Sequence, residues 1–409
     1  MYLINPSNQI VEVTDKNMLK ELLVTKGFRQ LTEDELSGFL KKKDFRNQQV
    51  TKGVVATSSI VYLRSSFSTP DGYGQSHEVL LNALRNKGIR VSLNYSNQHV
   101  GILYSYPYGI DKLETPVKII YTMFESTKIP GDWVEHLKKA DKVVVPAKFC
   151  QKSFKDAGID AEVIPLGYDS NVFQYRDKIR IDEPFTFLHY DAFNTRKGWD
   201  LVFKAFTEEF TKEDKVKLIL KTNKVNLPFP VIKSQYPNID VIKQTLSKKL
   251  LAELIHKSDC FVFPSRGEGF GLPPLEALAC GTPVIVPNGS GMSEYFNDKY
   301  FLDVKIDCLK PAMYRRFKGV DTGLMIEPSL KDLKKKMRYA YEHREMVLKM
   351  AREGAKWVEK NYSMEQTAEK WKVLLAKFNF NNKYEAKKGI PIAKLGEQVI
   401  GNILKVEEI

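Results

Sequence analysis

The segment between residues 261 and 285 holds the densest group of candidate catalytic and ligand-binding residues. Glu268 and Glu276 stand eight positions apart, and Gly269 and Gly271 lie between them. Glycines let backbone N–H groups approach a ligand, and the helix expected next has a partially positive N-terminus, which suits a phosphate. A carboxylate suits the vicinal hydroxyls of a ribose or a hexose. The spacing predicts that the two carboxylates contact different parts of one ligand, although Glu276 alone could be a favourable first-turn acid.

A second candidate is the turn at residues 194–200, where Arg196 and Lys197 separate an apolar run from an amphipathic stretch. Basic side chains in such a turn can neutralise the charge that develops on a diphosphate leaving group. From the residues alone, the alternative is that both are ordinary solvated charges. Gly72 and Gly74 form a weaker glycine-containing loop after another apolar run.

These loops need strands and helices to position them, and from residue 54 onward apolar runs alternate with amphipathic stretches. Continuous β-branched runs between helices indicate buried parallel strands. Two such series predict two doubly wound α/β domains, at 54–175 and 180–360, whose functional loops meet at the carboxyl ends of the strands. Strands are predicted at 60–63, 90–93, 102–106, 117–121, 142–145 and 162–166, and then at 185–189, 217–221, 239–242, 260–263, 283–286 and 323–326.

The two ends of the chain read differently from its middle. Residues 1–50 form a small α+β appendage, with strands predicted at 3–4 and 10–13 and helices at 18–26 and 32–40. A helix at 362–380, with Ser363 and Gln366 as a capping box, is predicted to cross back to the first domain. The tail at 381–409 contains a short helical pattern at 392–404.

The segment from Glu268 to Glu276 resembles the E-x7-E signature of the retaining GT-B glycosyltransferases of group 1. The resemblance runs from about Ile60 to Phe378. It implies two Rossmann-like domains facing a cleft, the first for the acceptor and the second for a nucleotide sugar. It also implies transfer of a sugar to an acceptor hydroxyl with retention, without a metal ion.

The resemblance also assigns roles to residues. Glu268 is expected beside the transferred sugar and Glu276 beside the ribose, while Lys197 contacts the diphosphate. Glu125 follows the strand at 117–121, where many relatives place a sugar-contacting histidine. The expected catalytic residues are Glu268, Lys197 and Glu125, and the expected donor contacts are Gly72, Gly74, Arg196, Lys197, Thr245, Leu246, Glu268, Gly269, Phe270, Gly271, Leu272 and Glu276.

No metal site is predicted, because the chain has neither a D-x-D pair nor a cluster of histidines and cysteines at ligand spacing. No cofactor is expected, and the donor substrate is expected to be a UDP- or GDP-sugar. Four cysteines without a C-x-x-C pair predict buried thiols rather than a disulfide scaffold. No apolar run approaches the roughly 18 residues of a membrane span, and no signal peptide is evident, so a cytoplasmic enzyme is expected.

The charge leaves several partners open. The chain carries 63 Lys and Arg against 50 Asp and Glu, a net charge of +13. This excess favours a nucleic acid, an anionic membrane surface or a phosphorylated polymer, or it serves solubility alone. Six lysines between Lys138 and Lys155 form one basic cluster, with Asp141 as the opposing acid.

The expected acceptor is accordingly a glycan, a lipid or DNA, and a peripheral contact with an anionic surface is a further option. The alternatives are a phage-type DNA base glycosyltransferase acting on a hydroxylated base, and a non-enzymatic basic protein that binds sugar nucleotides or nucleic acid. A sugar-nucleotide epimerase of the same fold fits less well, because the E-x7-E loop pattern argues against it.

Overall fold

The computed structural model divides the chain into two compact units, Met1–Ala56 and Thr57–Ile409. The residues that it describes are 2–4, 10–12, 29–30, 60–65, 72–95, 98–178, 184–191, 194–222, 235–314 and 316–378.

The first unit contains a small antiparallel sheet. Strand β1 (Tyr2–Ile4) lies between β2 (Ile10–Glu12) and β3 (Arg29–Gln30), with Tyr2 opposite Glu12 and Leu3 opposite Gln30. The first two strands were predicted, whereas β3 was not, because two residues give too short a pattern to recognise. The helices predicted at 18–26 and 32–40 lie outside the described residues, as does the helical pattern at 392–404.

The first α/β domain is built on a parallel six-stranded sheet. Its strands carry apolar β-branched residues that are buried on both faces, so helices must cover both sides. The strand order is β5-β4-β6-β7-β8-β9. The strands are β4 (Ile60–Ser65), β5 (Arg90–Ser92), β6 (Val100–Tyr104), β7 (Val117–Tyr121), β8 (Lys142–Val145) and β9 (Ala161–Val163), and the helices are α1 (Gly72–Asn86), α2 (Gly131–Leu137) and α3 (Lys148–Asp156).

The second α/β domain has the same architecture, with strand order β12-β11-β10-β13-β14-β15 and every pair parallel. The order reverses between β10 and β13, which is where open sheets of this type bind ligands. The strands are β10 (Phe185–Tyr190), β11 (Val216–Lys221), β12 (Ile239–Ile242), β13 (Cys260–Val262), β14 (Val284–Val286) and β15 (Leu302–Asp303), and the helices are α4 (Trp199–Glu209), α5 (Lys248–His256) and α6 (Leu272–Ala279).

The parallel strand predicted at 323–326 is wrong. Those residues belong to β17 (Leu324–Pro328), which pairs antiparallel with β16 (Ile306–Pro311) in a separate two-stranded sheet. The sixth parallel position is taken by β15, which is too short to carry a recognisable pattern. The β16–β17 hairpin contacts the first domain, where Thr127 N donates to Leu324 O at 3.0 Å and Ser126 Oγ donates to Thr322 O at 2.7 Å.

Three helices complete the described chain: α7 (Leu330–Glu342), α8 (Arg344–Tyr362) and α9 (Met364–Ala376). Helix α9 packs on the first domain, where Trp371 meets the Tyr121 ring edge-to-face and Thr367 Oγ1 donates to Pro165 O at 3.0 Å. The predicted capping box is wrong, because the Ser363 side chain makes no capping hydrogen bond. Ser363 instead forms a β-bridge with Tyr168, which determines its backbone orientation.

Among the described residues, no helix combines the length and the apolar character needed to cross a membrane.

Candidate active site

A cavity of about 570 Å³ lies between the two α/β domains, at the carboxyl ends of both sheets. The first domain lines it with residues that include Glu125 and Met123, and the second domain with two loops that follow β10 and β13. Its volume falls within the range of pockets that hold a small-molecule ligand. The candidate loops chosen from the sequence meet here, because the carboxyl ends of parallel strands lie at the same edge of a sheet.

Glu268 lies in the loop between β13 and α6 and is buried. Its Oε1 accepts hydrogen bonds from Ser265 Oγ at 2.7 Å and from Lys197 Nζ at 2.8 Å. Burial alone would raise the pKa of this carboxyl group, but the positive charges of Lys197 and Arg196 and the two hydrogen bonds outweigh it and hold the pKa below its ordinary value. Glu268 is therefore a fixed, ionised carboxylate inside the cavity.

Arg196 and Lys197 lie in a short 3₁₀ turn between β10 and α4. The Asn194 side chain accepts a hydrogen bond from Lys197 N at 3.2 Å, and Gly198 ends the turn at φ +78°, a left-handed conformation that favours glycine. Both basic side chains line the cavity. Reading them as ordinary solvated charges is therefore wrong.

The Arg196 guanidinium connects the two domains. Its nitrogens lie 3.4 Å from Glu268 Oε1 and 3.5 Å from Glu125 Oε1, and it donates a hydrogen bond to Gly267 O. One cation thus holds a carboxylate from each side of the cleft, and the catalytic residues predicted from sequence (Glu268, Lys197 and Glu125) converge on one place.

Glu276 is the fifth residue of α6, which has no acid in its first turn, so the first-turn interpretation of this residue is wrong. Its Oε2 accepts a hydrogen bond from the Tyr190 hydroxyl at 2.8 Å. Burial raises the pKa of Glu276 to about 7, although this hydrogen bond and the positive charge of Lys248 favour the ionised form. Glu276 faces the cavity one helical turn away from the α6 N-terminus.

The packing and the backbone conformation of this loop also require glycine at positions 269 and 271, which the sequence did not indicate. A Cβ on Gly269 would lie 2.5 Å from the Met123 side chain, so the position must be small for the second domain to approach the first. Gly271 has φ +89° and immediately precedes α6, where an ordinary residue would be strained. Residues 268–273 nevertheless line the cavity, with the α6 N-terminus at its wall.

Several expected donor contacts lie outside the cavity lining. Thr245 is exposed and Leu246 half-buried in the segment between β12 and α5, and Lys248 and Leu251 of α5 line the cavity instead. Gly72 and Gly74 lie in the first turn of α1, whose cavity-lining residues are Ser76 and Val79. The contacts of Thr245, Leu246, Gly72 and Gly74 with a donor stay predictions.

The sequence missed other residues of the cavity. Tyr190, Asp191 and Lys221 end two neighbouring strands and line its wall. Buried His189 precedes them, and its Nδ1 lies 2.8 Å from Val262 O, a carbonyl to which it must donate. Tyr190, Asp191 and Lys221 could have been noticed because they lie at the carboxyl ends of two predicted strands. The sequence does not show, however, that those two strands are neighbours in the sheet.

The basic cluster of the first domain is largely neutralised, so opposition by Asp141 alone is wrong. Four of its six lysines have an acidic partner within 3.1 Å. Two of these partners lie three or four residues away in the sequence, and the other two are distant residues that fold against the cluster. The pairs are Lys138–Glu135, Lys139–Asp111, Lys142–Glu162 and Lys152–Asp156.

Within the described ranges, no group of three or more histidine, cysteine or acidic side chains could hold a metal ion. Cys150, Cys260 and Cys280 are buried as expected. Cys308 is exposed on β16, which corrects the expectation that all four thiols are buried.

Two parallel six-stranded sheets of Rossmann-like order, facing one cavity, define a GT-B fold. The fold is similar to that of sucrose-phosphate synthase from Thermosynechococcus elongatus, with a TM-score of 0.61 and 14% identity over 78% of this chain and 99% of that one. It is also similar to Anabaena HepE in complex with UDP and glucose, with a TM-score of 0.59 and 12% identity over 78% of this chain and all of that one.

Residues 171–357, just under half of the chain, match the family described as glycosyl transferases group 1. This match confirms, for these residues, the predicted resemblance to the group 1 glycosyltransferases.

Two curated relatives agree. Alpha-monoglucosyldiacylglycerol synthase of Streptococcus pneumoniae is 28% identical over 184 residues, 40% of this chain and 41% of the relative. Mannosylfructose-phosphate synthase of Agrobacterium fabrum is 26% identical over 185 residues, 38% of this chain and 41% of the relative. The match thus spans about two fifths of each of these relatives.

Proposed function

We propose that the protein is a glycosyltransferase that moves a sugar from a nucleoside diphosphate sugar to an acceptor hydroxyl, with retention and without a metal ion. One observation carries the proposal: carboxylates suited to sugar and ribose hydroxyls, and cations suited to a diphosphate, line a single interdomain cavity. The match of residues 171–357 to group 1 glycosyltransferases supports the same activity.

The donor would lie along the second domain. Glu276 would accept hydrogen bonds from the ribose hydroxyls, and the diphosphate would lie between Lys197 and the N-terminus of α6. UDP- or GDP-sugars are the expected donors, and HepE, which shares the fold, has been crystallised with UDP. Thr245 and Leu246 would contact the base through their backbone.

The transferred sugar would lie beside Glu268. In the free protein this carboxylate is held by Lys197 and Arg196, so a diphosphate that takes over the lysine would leave Glu268 available to the sugar hydroxyls. As the leaving diphosphate gains charge, Lys197 and the helix amides would stabilise it without moving, which is the arrangement that accelerates such a step.

The acceptor would enter from the first domain, where Glu125 faces the cavity. Arg196 and the nearby Tyr314 hold Glu125 from the second domain, because the Tyr314 hydroxyl lies 3.3 Å from Ser126 Oγ and interacts with the Glu125 carboxylate. Glu125 would therefore be positioned only when the two domains are together. This would restrict transfer to the closed cleft and limit hydrolysis of the donor.

A thermal-shift screen against UDP-, GDP-, ADP- and CDP-sugars tests donor binding, since a ligand at 100 times its Kd stabilises by about 2.7 kcal/mol. Transfer from the stabilising donor is then measured with a glycan, a diacylglycerol and DNA carrying a hydroxylated base, and NMR gives the anomeric configuration of the product. Glu268→Gln should abolish transfer and retain nucleotide-induced stabilisation. The matched control is Glu253→Gln, at a residue of α5 that is paired with Arg176 outside the cavity. A protein that neither binds nor consumes any of these donors would contradict the proposal.

A further inference from the structure

Lys221 is the last residue of β11 and lines the same cavity as the basic turn after β10. Strands β10 and β11 are parallel neighbours with Tyr190 opposite Lys221, and Asp191 N donates to Lys221 O at 3.1 Å. The side chain therefore starts one strand away from the loop that carries Arg196 and Lys197. Three cations that follow or end two adjacent strands therefore line one cavity.

The three cations differ in how far neighbouring carboxylates neutralise their positive charge. Arg196 and Lys197 are ion-paired with Glu125 and Glu268 in the free protein. Burial lowers the pKa of Lys221, and the negative charge of Asp191 offsets this effect only in part. An ammonium group that is partly buried and incompletely compensated is stabilised by any anion that enters the cavity beside it.

The same strand provides a contrast. Lys217 lies four residues earlier on the same face of β11, roughly 13 Å away at about 3.3 Å per residue. Its Nζ lies 2.5 Å from Asp240 Oδ2, and it is not among the residues that line the cavity. The two lysines share a strand, a face and a residue type, and differ in whether they reach the cavity.

We propose that Lys221 binds the diphosphate of the donor as a cation additional to Lys197, and that it makes the site selective for nucleoside diphosphates over monophosphates. This inference rests on the proposed function. The loop after β10 begins with Asp191 and carries its two cations, Arg196 and Lys197, further along the chain. The neighbouring strand end adds Lys221 to the lining of the same cavity.

The preference for diphosphates over monophosphates would follow from the position of each phosphate in the cavity. A single phosphate next to the ribose would be held by the α6 N-terminus beside Glu276. The second phosphate would extend towards the ends of β10 and β11, where Lys197 and Lys221 lie. Removing Lys221 should therefore weaken binding of diphosphates and leave monophosphates nearly unaffected.

The experiment is isothermal titration calorimetry of UDP against UMP and of GDP against GMP, at one salt concentration, with the full-length protein. Lys221→Met keeps the length of the side chain and removes its charge. We expect it to lose on the order of 10- to 100-fold in affinity for the diphosphate that binds, as expected for a charged hydrogen bond. Monophosphate affinity should change much less, and Lys217→Met should match the unaltered protein for both ligands.

Lys221→Arg keeps the charge and should retain most of the preference for the diphosphate, so the test holds even if the methionine variant does not fold. Melting temperatures of the free variants are compared first. Undiminished diphosphate affinity in Lys221→Met, or equal losses for monophosphate and diphosphate, would overturn the assignment of Lys221 while the proposed function stands. If the unaltered protein binds no nucleoside diphosphate and consumes no sugar nucleotide, the proposed function fails and this inference fails with it.

Discussion

Replacing Glu276 by glutamine should stabilise the free protein at pH 8 and weaken its binding of a nucleoside diphosphate. Burial raises the pKa of Glu276 from 4.5 to about 7, a difference of about 2.5 units. At about 1.36 kcal/mol per unit, the ionised carboxylate costs the folded state roughly 3 kcal/mol. Glutamine has no charge to bury, and its amide oxygen can still accept the hydrogen bond from Tyr190.

The direction of this stability change with pH follows from proton binding to Glu276. Between pH 4.5 and 7 the folded protein holds a proton on Glu276 that the unfolded chain has released, so this carboxyl makes stability fall as pH rises. The gain from Glu276→Gln should accordingly be near zero at pH 4.5, grow through this interval and be complete above pH 7. Urea unfolding of the free protein at pH 5 and pH 8 measures it.

Binding should change in the opposite direction. An ionised Glu276 accepts hydrogen bonds from both ribose hydroxyls, so calorimetry at pH 8 should record a loss on the order of 10-fold or more in Glu276→Gln. In the unaltered protein, affinity should rise as pH increases through about 7. Glu253→Gln, which removes the partner of Arg176 outside the cavity, should neither stabilise the protein at pH 8 nor weaken nucleotide binding. A Glu276→Gln variant that is less stable at pH 8, with unchanged affinity, would refute this account and make Glu276 a structural residue.

Three further outcomes are expected. Lys197→Ala should lower kcat by about 100- to 1,000-fold, because it removes a charge that stabilises the leaving diphosphate. Lys204→Ala, at an exposed site on α4, is the control. Near-normal turnover in Lys197→Ala would contradict the assignment. Gly267→Ala should lower the melting temperature, because the added Cβ would collide with the Glu125 carbonyl oxygen and reduce the free energy of unfolding by roughly 1–3 kcal/mol. The control Gly131→Ala places its Cβ in open space and should leave the melting temperature unchanged. Transfer should survive EDTA, and a loss that magnesium or manganese restores would exclude a metal-independent mechanism.

Local sequence patterns determined most of the elements that carry the site. The runs at 117–121, 142–145 and 239–242 became strands with those bounds, because short runs rich in β-branched apolar residues favour buried strands. Pro273 and Gly281 mark the two ends of α6, since proline suits a first turn and glycine tolerates φ +76° after the last.

The functional loops were also predictable, because glycines, carboxylates and cations between a strand and a helix are a local signal. Glu268 and Lys197 were selected from such loops, and Glu125 and the catalytic roles came from the family resemblance; all three residues line the cavity. What they contact was not predictable, since the Arg196 bridge between Glu268 and Glu125 joins residues from two domains.

Strand adjacency and the compensation of several charges could not be predicted, because both depend on the folded chain. The order β12-β11-β10-β13 brings the strand end with Lys221 next to the strand that precedes the basic turn, although Lys197 and Lys221 are 24 positions apart in the sequence. Folding likewise pairs Lys139 with distant Asp111 and Lys142 with distant Glu162, so two charges of an apparently basic cluster are compensated by tertiary contacts. Propensity and hydrophobic period act over a few residues, whereas strand order, domain contact and electrostatic compensation depend on residues that meet only when the whole chain has packed.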